Sequence, residues 1–285
     1  MAASRNEERL AALQEPSDRA LEAPQATAGF SYTTPTEIVE LPSRGVLYPE
    51  GHPLHMVGEV EIKYMTAREE DILTSPSLLK KGVVLDRLLK SVLVDKSINI
   101  SDLLIGDRNA LVIATRKTGY GSEYPTMVTC PSCNASAEYV FDLEQLKTLE
   151  VDAEELQKYG IENTGRGTFL VRLPKTGVAA EFRLLTGKDE NYLAKQRELA
   201  EKKGLPDTNL TNQLRSMLVS VNGSTDRADV NNFVNAMPAY DAKFLRGAYS
   251  KTNPDIDLKH IYSCDACGFA QEMEVPLNAD FFWPG

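Results

Sequence analysis

The residues of this chain best suited to chemistry are its four cysteines. They fall into two pairs of one spacing, Cys130-Pro-Ser-Cys133 and Cys264-Asp-Ala-Cys267. A C-x-x-C turn aims two thiolates at one tetrahedral metal roughly 2.3 Å from each sulfur. Backbone N–H groups in such a turn donate to the sulfurs and stabilise their charge. Two turns together supply the whole shell of one ion, so Cys130, Cys133, Cys264 and Cys267 are expected to hold a structural Zn2+. A closed shell leaves no position for a substrate water, which excludes a catalytic role for the ion. Two readings compete: a pair of disulfides, which needs an oxidising compartment, and a thiol-redox centre, which needs a reactive thiol and no metal.

Other catalytic chemistry finds little support. The chain lacks G-x-x-x-x-G-K-[ST], H-E-x-x-H and G-x-S-x-G. Its histidines are His52, His55 and His260. His260 precedes Cys264 closely enough to approach the metal, but four sulfurs already fill the shell. Gly165-Arg166-Gly167 is too short for a dinucleotide loop. The run Glu69-Glu70-Asp71 falls on an amphipathic helical pattern and reads as a solvated face. No enzymatic activity is expected.

Acidic residues outnumber basic ones 41 to 31, and the net charge is −10. Phosphate neutralisation demands the opposite balance, so nucleic acid is not an expected partner. A zinc-ribbon module that binds nucleic acid through a local basic face stays the alternative. No apolar run reaches the roughly 18 residues of a membrane span. The first residues lack the apolar core of a secretory signal, so the chain is expected to remain in the cytoplasm where it is made.

The long separation of the two C-x-x-C pairs is explained by a repeat. Sliding the sequence by 134 residues lays Cys130 on Cys264 and Cys133 on Cys267, and Asp107, Leu111, Ala114, Lys117 and Thr118 on Asp241, Leu245, Ala248, Lys251 and Thr252. Further upstream, with shifted offsets, Glu61-Ile62-Lys63-Tyr64-Met65-Thr66 resembles Glu181-Phe182-Arg183-Leu184-Leu185-Thr186. Leu41-Pro42-Ser43-Arg44-Gly45 resembles Leu173-Pro174-Lys175-Thr176-Gly177. The expected fold is therefore α+β, an internally duplicated module of strand, helices and C-x-x-C hairpin. The two hairpins meet at a pseudo-twofold axis and form one zinc-ribbon-like four-cysteine site.

The elements that must position the cysteines are legible in outline. Val60 to Met65 alternates as a strand does. Thr66 with Glu69, and Thr186 with Asp189, form the capping boxes of two helices. Val84, Leu88, Leu89, Val92 and Leu93 recur at helical spacing, as do Leu210, Leu214, Met217 and Leu218. Ala110 to Arg116 and Ala242 to Tyr249 read as the helices leading into the cysteine hairpins. Ala137 to Phe141 and Gln271 to Val275 read as the strands leaving them.

These patterns divide the chain into a mobile N-terminal arm (1–36), a first copy (37–143), a linker (144–167) and a second copy with an aromatic end (168–285). The arm is too poor in large apolar residues to offset its ordering entropy, although Arg9 to Gln14 could form a transient helix. The linker reads as acidic helical turns followed by the loop 163–167. Phe281-Phe282-Trp283 reads either as a cover for the second hairpin or as an anchor for a neighbouring subunit.

The entry Val39-Glu40-Leu41-Pro42-Ser43-Arg44-Gly45 with Tyr48-Pro49, the helix opening Met65-Thr66-Ala67-Arg68-Glu69-Glu70-Asp71-Ile72-Leu73, and Asp102-Leu103-Leu104-Ile105-Gly106-Asp107-Arg108 followed by Cys130-Pro131-Ser132-Cys133 carry a resemblance. Together they resemble the T4-type bacteriophage baseplate protein family of contractile-tailed phages, which includes a baseplate hub subunit. The resemblance covers about 37–285 and is strongest over 39–133. It implies a structural or assembly subunit of the tail baseplate in the virion, made in the host bacterial cytoplasm, with other baseplate and tail-tube subunits as partners. It brings no active-site residues, and the zinc assignment rests on cysteine spacing alone.

Overall fold

The alternating stretch around Val60 buries Val60 and Ile62 and turns its glutamates outward. In the computed structural model, which describes residues 33–206, 208–275, 277 and 279–282, this stretch is β2 (Glu59–Lys63). It pairs antiparallel with β1 (Thr36–Glu40), from Thr36 opposite Lys63 to Glu40 opposite Glu59. Helices α1 (Ala67–Leu73), α2 (Pro76–Lys80), α3 (Val84–Val92) and α4 (Ile105–Tyr120) follow, and then the hairpin β3 (Glu123–Thr129) and β4 (Ser136–Asp142).

Beyond it come β5 (Lys147–Leu149), α5 (Ala153–Tyr159) and β6 (Ile161–Asn163). Next, β7 (Thr168–Arg172) pairs with β8 (Ala179–Arg183), from Thr168 opposite Arg183 to Arg172 opposite Ala179. Helices α6 (Gly187–Lys202) and α7 (Asn209–Met217) lead to β9 (Leu218–Val221). Then α8 (Arg227–Ala236), α9 (Ala239–Thr252), β10 (Asp255–Asp257) and the hairpin β11 (Lys259–Ser263) with β12 (Ala270–Glu274) complete the order.

Strands β6-β7-β8-β9 form one sheet, and the remaining sheets are two-stranded, among them β5 with β10. All strand pairings among the described residues are antiparallel, which suits helices and strands segregated along the chain. The described residues from Pro35 onward form one compact unit. Its buried apolar residues, from Val39 to Phe282, make one continuous core. Each fully buried Leu, Val or Phe in it stabilises the fold by roughly 1.5–3 kcal/mol.

Segment 144–167 has secondary structure of its own. Besides the helix α5 it contributes β5 and β6, and Ile161 is buried opposite Val171. Three-residue strands are too short to leave a periodic signal in the sequence. The arm's residues 1–32, including Arg9 to Gln14, and Trp283 to Gly285 lie outside the described residues.

Both expected capping boxes are present. The backbone N–H and hydroxyl of Thr66 donate to Glu69 Oε2 at 3.0 and 2.6 Å. Those of Thr186 donate to Asp189 Oδ2 at 2.8 and 3.0 Å. The acidic run on α1 departs from expectation. Glu70 and Asp71 are exposed, but Glu69 is wholly buried, where it accepts the Ser91 hydroxyl at 2.6 Å and faces Lys63 Nζ at 3.3 Å. The reason is tertiary: α1 packs on α3, which turns the third helical position inward.

Helix α4 is central, with an unbroken buried run from Ala110 to Arg116. Its start passes so close to the strand before the second hairpin that a Cβ on Gly106 would lie 2.0 Å from the carbonyl oxygen of Pro254. Only glycine permits that approach. One residue on, Asp107 is buried and accepts the Ser43 N–H at 2.9 Å, the Ser43 hydroxyl at 2.6 Å and the Tyr48 hydroxyl at 2.7 Å. On α9, buried Asp241 accepts the backbone N–H groups of Lys175 and Thr176, each at 2.9 Å, and the Thr176 hydroxyl at 2.8 Å.

Candidate metal centre

Each C-x-x-C pair sits at the tip of a two-stranded hairpin that a buried helix delivers. In the first, Cys130 N–H donates to Ala135 O at 2.9 Å and Asn134 N–H to Cys130 O at 2.9 Å. In the second, Cys264 N–H donates to Phe269 O at 2.9 Å and Gly268 N–H to Cys264 O at 2.8 Å. Both turns close through a left-handed residue directly after the second cysteine, Asn134 at φ 58° and Gly268 at φ 71°. Asn and Gly are the residues that enter this conformation most readily. The sequence carried this signal in the residue type after each pair, and the cysteine spacing alone does not use it.

The four sulfurs converge. Cys130 Sγ lies 3.8 Å from Cys267 Sγ, and Cys133 Sγ lies 3.8 Å from Cys264 Sγ. All four Sγ atoms lie within 4.8 Å of one another. A regular tetrahedron with metal–sulfur bonds of about 2.3 Å has edges of about 3.8 Å, so the donor set fits a thiophilic ion of zinc's size. Cys130 and Cys264 are buried, Cys133 and Cys267 exposed, and the two turns present their sulfurs alike.

Clustering drives the thiols apart in acidity. The Ala135 N–H lowers the Cys133 thiol, but the facing sulfurs of Cys267, Cys130 and Cys264, with burial, push it up to about 12. The Cys264 thiol is drawn down to about 6, chiefly by the Cys267 N–H and also by that of Ala266. Four clustered thiols cannot all ionise without a positive charge among them.

An aromatic layer joins the hairpins behind the sulfurs. Tyr139 of β4 meets Tyr262 of β11 edge-on with ring centres 5.3 Å apart, and meets Phe141 at 5.0 Å. The Tyr139 hydroxyl lies 3.3 Å from Ile261 O and is hydrogen-bonded with His260 Nε2 at 2.8 Å. His260 is thereby committed to the hairpin interface, its ring 5.5 Å from Phe141. It stands beside the sulfur cluster as packing.

Arg116 at the end of α4 is 1% exposed and has no carboxylate partner among the described residues. It donates to the carbonyl oxygens of Phe281 at 3.0 Å, Gly121 at 3.1 Å and Glu123 at 3.2 Å, and lies over the rings of Tyr120 and Tyr124. Its grip on Phe281 corrects the reading of the aromatic end. Phe281 and Phe282 are wholly buried, and Phe281 packs edge-on against Tyr124 of β3 at 4.9 Å. Phe281 thus packs at the base of the first hairpin, and neither buried ring is a surface anchor, while Trp283 lies outside the described residues. Arg116 and Tyr139 were not foreseen, because nothing in their local sequence marks a buried cation or an inter-hairpin hydroxyl.

A protein-family model described as "T4 bacteriophage base plate protein" matches residues 35–283. No curated protein and no solved structure matches the chain. No helix among the described residues is long and apolar enough to cross a membrane.

Proposed function

We propose, from the premise that the chain belongs to the T4 bacteriophage base plate protein family, that it is a structural or assembly subunit in the hub region of a contractile phage tail baseplate. One structural zinc on Cys130, Cys133, Cys264 and Cys267 staples it, and it does no catalysis. The observation that carries this reading is the sulfur cluster itself: four sulfurs within 4.8 Å of one another, with no further His, Cys, Asp or Glu in the group among the described residues, a donor set that suits a closed structural site. Such an ion supplies folding energy and rigidity, which a load-bearing assembly uses.

We read the body as two copies of one module, 37–143 and 168–285, joined by 144–167 and preceded by a partner-ordered arm, 1–36. Several paired details support this. The hairpins β1–β2 and β7–β8 share one register. Asp107 and Asp241, which the offset of 134 superposes, each latch the loop between those strands. The ion pair Lys63–Glu69 recurs as Arg183–Asp189. Lys96 Nζ caps the carbonyls of Lys90, Ser91 and Leu93 after α3, while Arg227 caps those of Arg215 and Leu218 after α7. The sulfur pair Cys130–Cys267 becomes Cys264–Cys133 when the copies are exchanged, as a pseudo-twofold axis requires.

The partners are other baseplate and tail-tube subunits, and the arm is a contact segment for them. The test is to isolate phage tails, probe them for this chain with an antibody, and measure zinc in the purified protein by elemental mass spectrometry. About one zinc per chain together with a tail-associated signal is expected. A metal-free protein with two reducible disulfides would sink the staple. Absence from tails and from tail-assembly intermediates would sink the subunit role.

A further inference from the structure

The two β hairpins that share a register are closed by very different connections. Between β7 and β8 the turn 173–178 suffices. Between β1 and β2 the chain runs through 41–58. The extra length is therefore particular to the first hairpin, and part of it packs into the core.

That extra length is a built loop. Leu47, Tyr48 and Leu54 are buried beneath it. The Tyr48 ring stacks on His52 at 4.4 Å, its carbonyl meets His55 Nδ1 at 2.7 Å, and its hydroxyl reaches Asp107. Met56 N–H donates to Gly45 O at 3.0 Å, and Met56 is held at φ 58°, a conformation L side chains rarely adopt. The rigid frame turns Val46, Met56 and Val57 outward, with Met56 67% exposed. An apolar tip held by strained backbone on an otherwise well-packed loop is the pattern of a recognition loop.

The surroundings say what it recognises. Glu40 and Glu59, which face each other where the loop leaves β1 and enters β2, and Glu61 two residues further along β2, are exposed and have no ion pair among the described residues, while Arg44 of the loop is engaged by Glu150. We infer that the loop 41–58 docks its Val46, Met56 and Val57 tip into an apolar cup rimmed by Lys and Arg on a different baseplate protein. The glutamates of β1 and β2 meet that rim. A second copy of this chain is a poor occupant, because at net charge −10 it would bring further acid to an acidic rim. The inference rests on the subunit role and names the chemistry of its partner.

The test is photocrosslinking during infection, with p-benzoylphenylalanine placed at position 56 and, as a control on another exposed side chain, at position 240. Crosslinked peptides are mapped by mass spectrometry. Position 56 is expected to capture another tail protein at a peptide combining apolar residues with Lys or Arg. Phage carrying Val46→Glu with Met56→Glu, or Glu59→Lys with Glu61→Lys, should lose plaque titre by roughly tenfold or more. The purified variants should keep the melting temperature and zinc content of the parent, since all four side chains are exposed.

Capture of a second copy from position 56, capture of a surface without cations, or full plaque titre in the stable variants would overturn the docking inference. If position 240 captures tail proteins and position 56 captures none, the loop inference fails while the subunit role stands. If neither position captures a tail protein, the loop inference fails, and the antibody probe of isolated tails decides the subunit role separately.

Discussion

Cys133 Sγ lies 3.8 Å from Cys264 Sγ across 131 residues of chain. Neither C-x-x-C turn can complete a tetrahedron by itself, so any metal bound there ties one hairpin to the other. The contact is as much a statement about topology as about chemistry. It can form only if α4 and α9 deliver their hairpins to one place.

The buried sulfurs should therefore matter most. Cys130→Ser or Cys264→Ser is expected to abolish zinc binding and to lower the unfolding midpoint by ~10 °C or more. Loss of a structural site costs several kcal/mol, and each kcal/mol moves the midpoint of a chain this long by roughly 2–4 °C. Differential scanning calorimetry with and without a chelator checks this. Chelation should bring the parent down to the variants and leave the variants unmoved.

The two buried aspartates offer an internal comparison. In Asp107→Asn one amide oxygen can keep the Ser43 N–H, while the new N–H2 donates to the Ser43 and Tyr48 hydroxyls, which rotate to accept. Asp241 is different, because both its oxygens accept backbone N–H groups that cannot reverse. Urea unfolding at neutral pH should give a cost of about 1 kcal/mol or less for Asp107→Asn and about 2–3 kcal/mol for Asp241→Asn. The pH trends should also diverge. Burial raises the Asp107 carboxyl, so its ionisation costs stability, and Asp107→Asn should gain on the parent as pH rises above the ordinary carboxylate range. Burial acts in the same direction on Asp241, but the bonds from Lys175 and Thr176 win and hold it below the usual range. Its contribution is present above that range and fades as pH falls. Equal costs for the two changes would refute this account.

Glu69 should be an acid-sensitive element of the first half. Burial alone would raise it, but the hydroxyls of Ser91 and Thr66, the Thr66 N–H and Lys63 bring it from 4.5 down to about 2. A depressed carboxylate contributes stability that is complete above its unfolded value and is lost as pH falls toward its folded value. Glu69→Gln is expected to cost about 2–4 kcal/mol at pH 7, and the gap to the parent should narrow between roughly pH 4.5 and 2. A gap that is flat with pH would mean that the carboxylate's charge contributes nothing.

Local patterns told a good deal about this chain. The capping boxes at Thr66 and Thr186, the apolar stripes of α3 and α7, and the alternating strands around the cysteines each depend on residues a few positions apart, where spacing fixes geometry. The matched C-x-x-C pairs belong here too, since a four-cysteine complement in two equal turns constrains the ligand set before any fold is known. The family could also be read from motifs lying in 39–133, and the match over residues 35–283 bears it out.

What the sequence left open depended on partners far along the chain. Glu69 reads as surface because its neighbours Glu70 and Asp71 are surface, and only Ser91 and the packing of α1 on α3 make it interior. Arg116 carries a full charge, yet the carbonyl of Phe281, 165 residues away, helps to hold it inside. By itself the sequence determined the matched cysteine turns, the helix starts and the strand alternation, because these are short-range consequences of side-chain chemistry. Tertiary structure alone decided which sulfur faces which, where the aromatic end lies and which charges are buried. Burial is set by whichever element arrives on the other side, and no local spacing records that arrival.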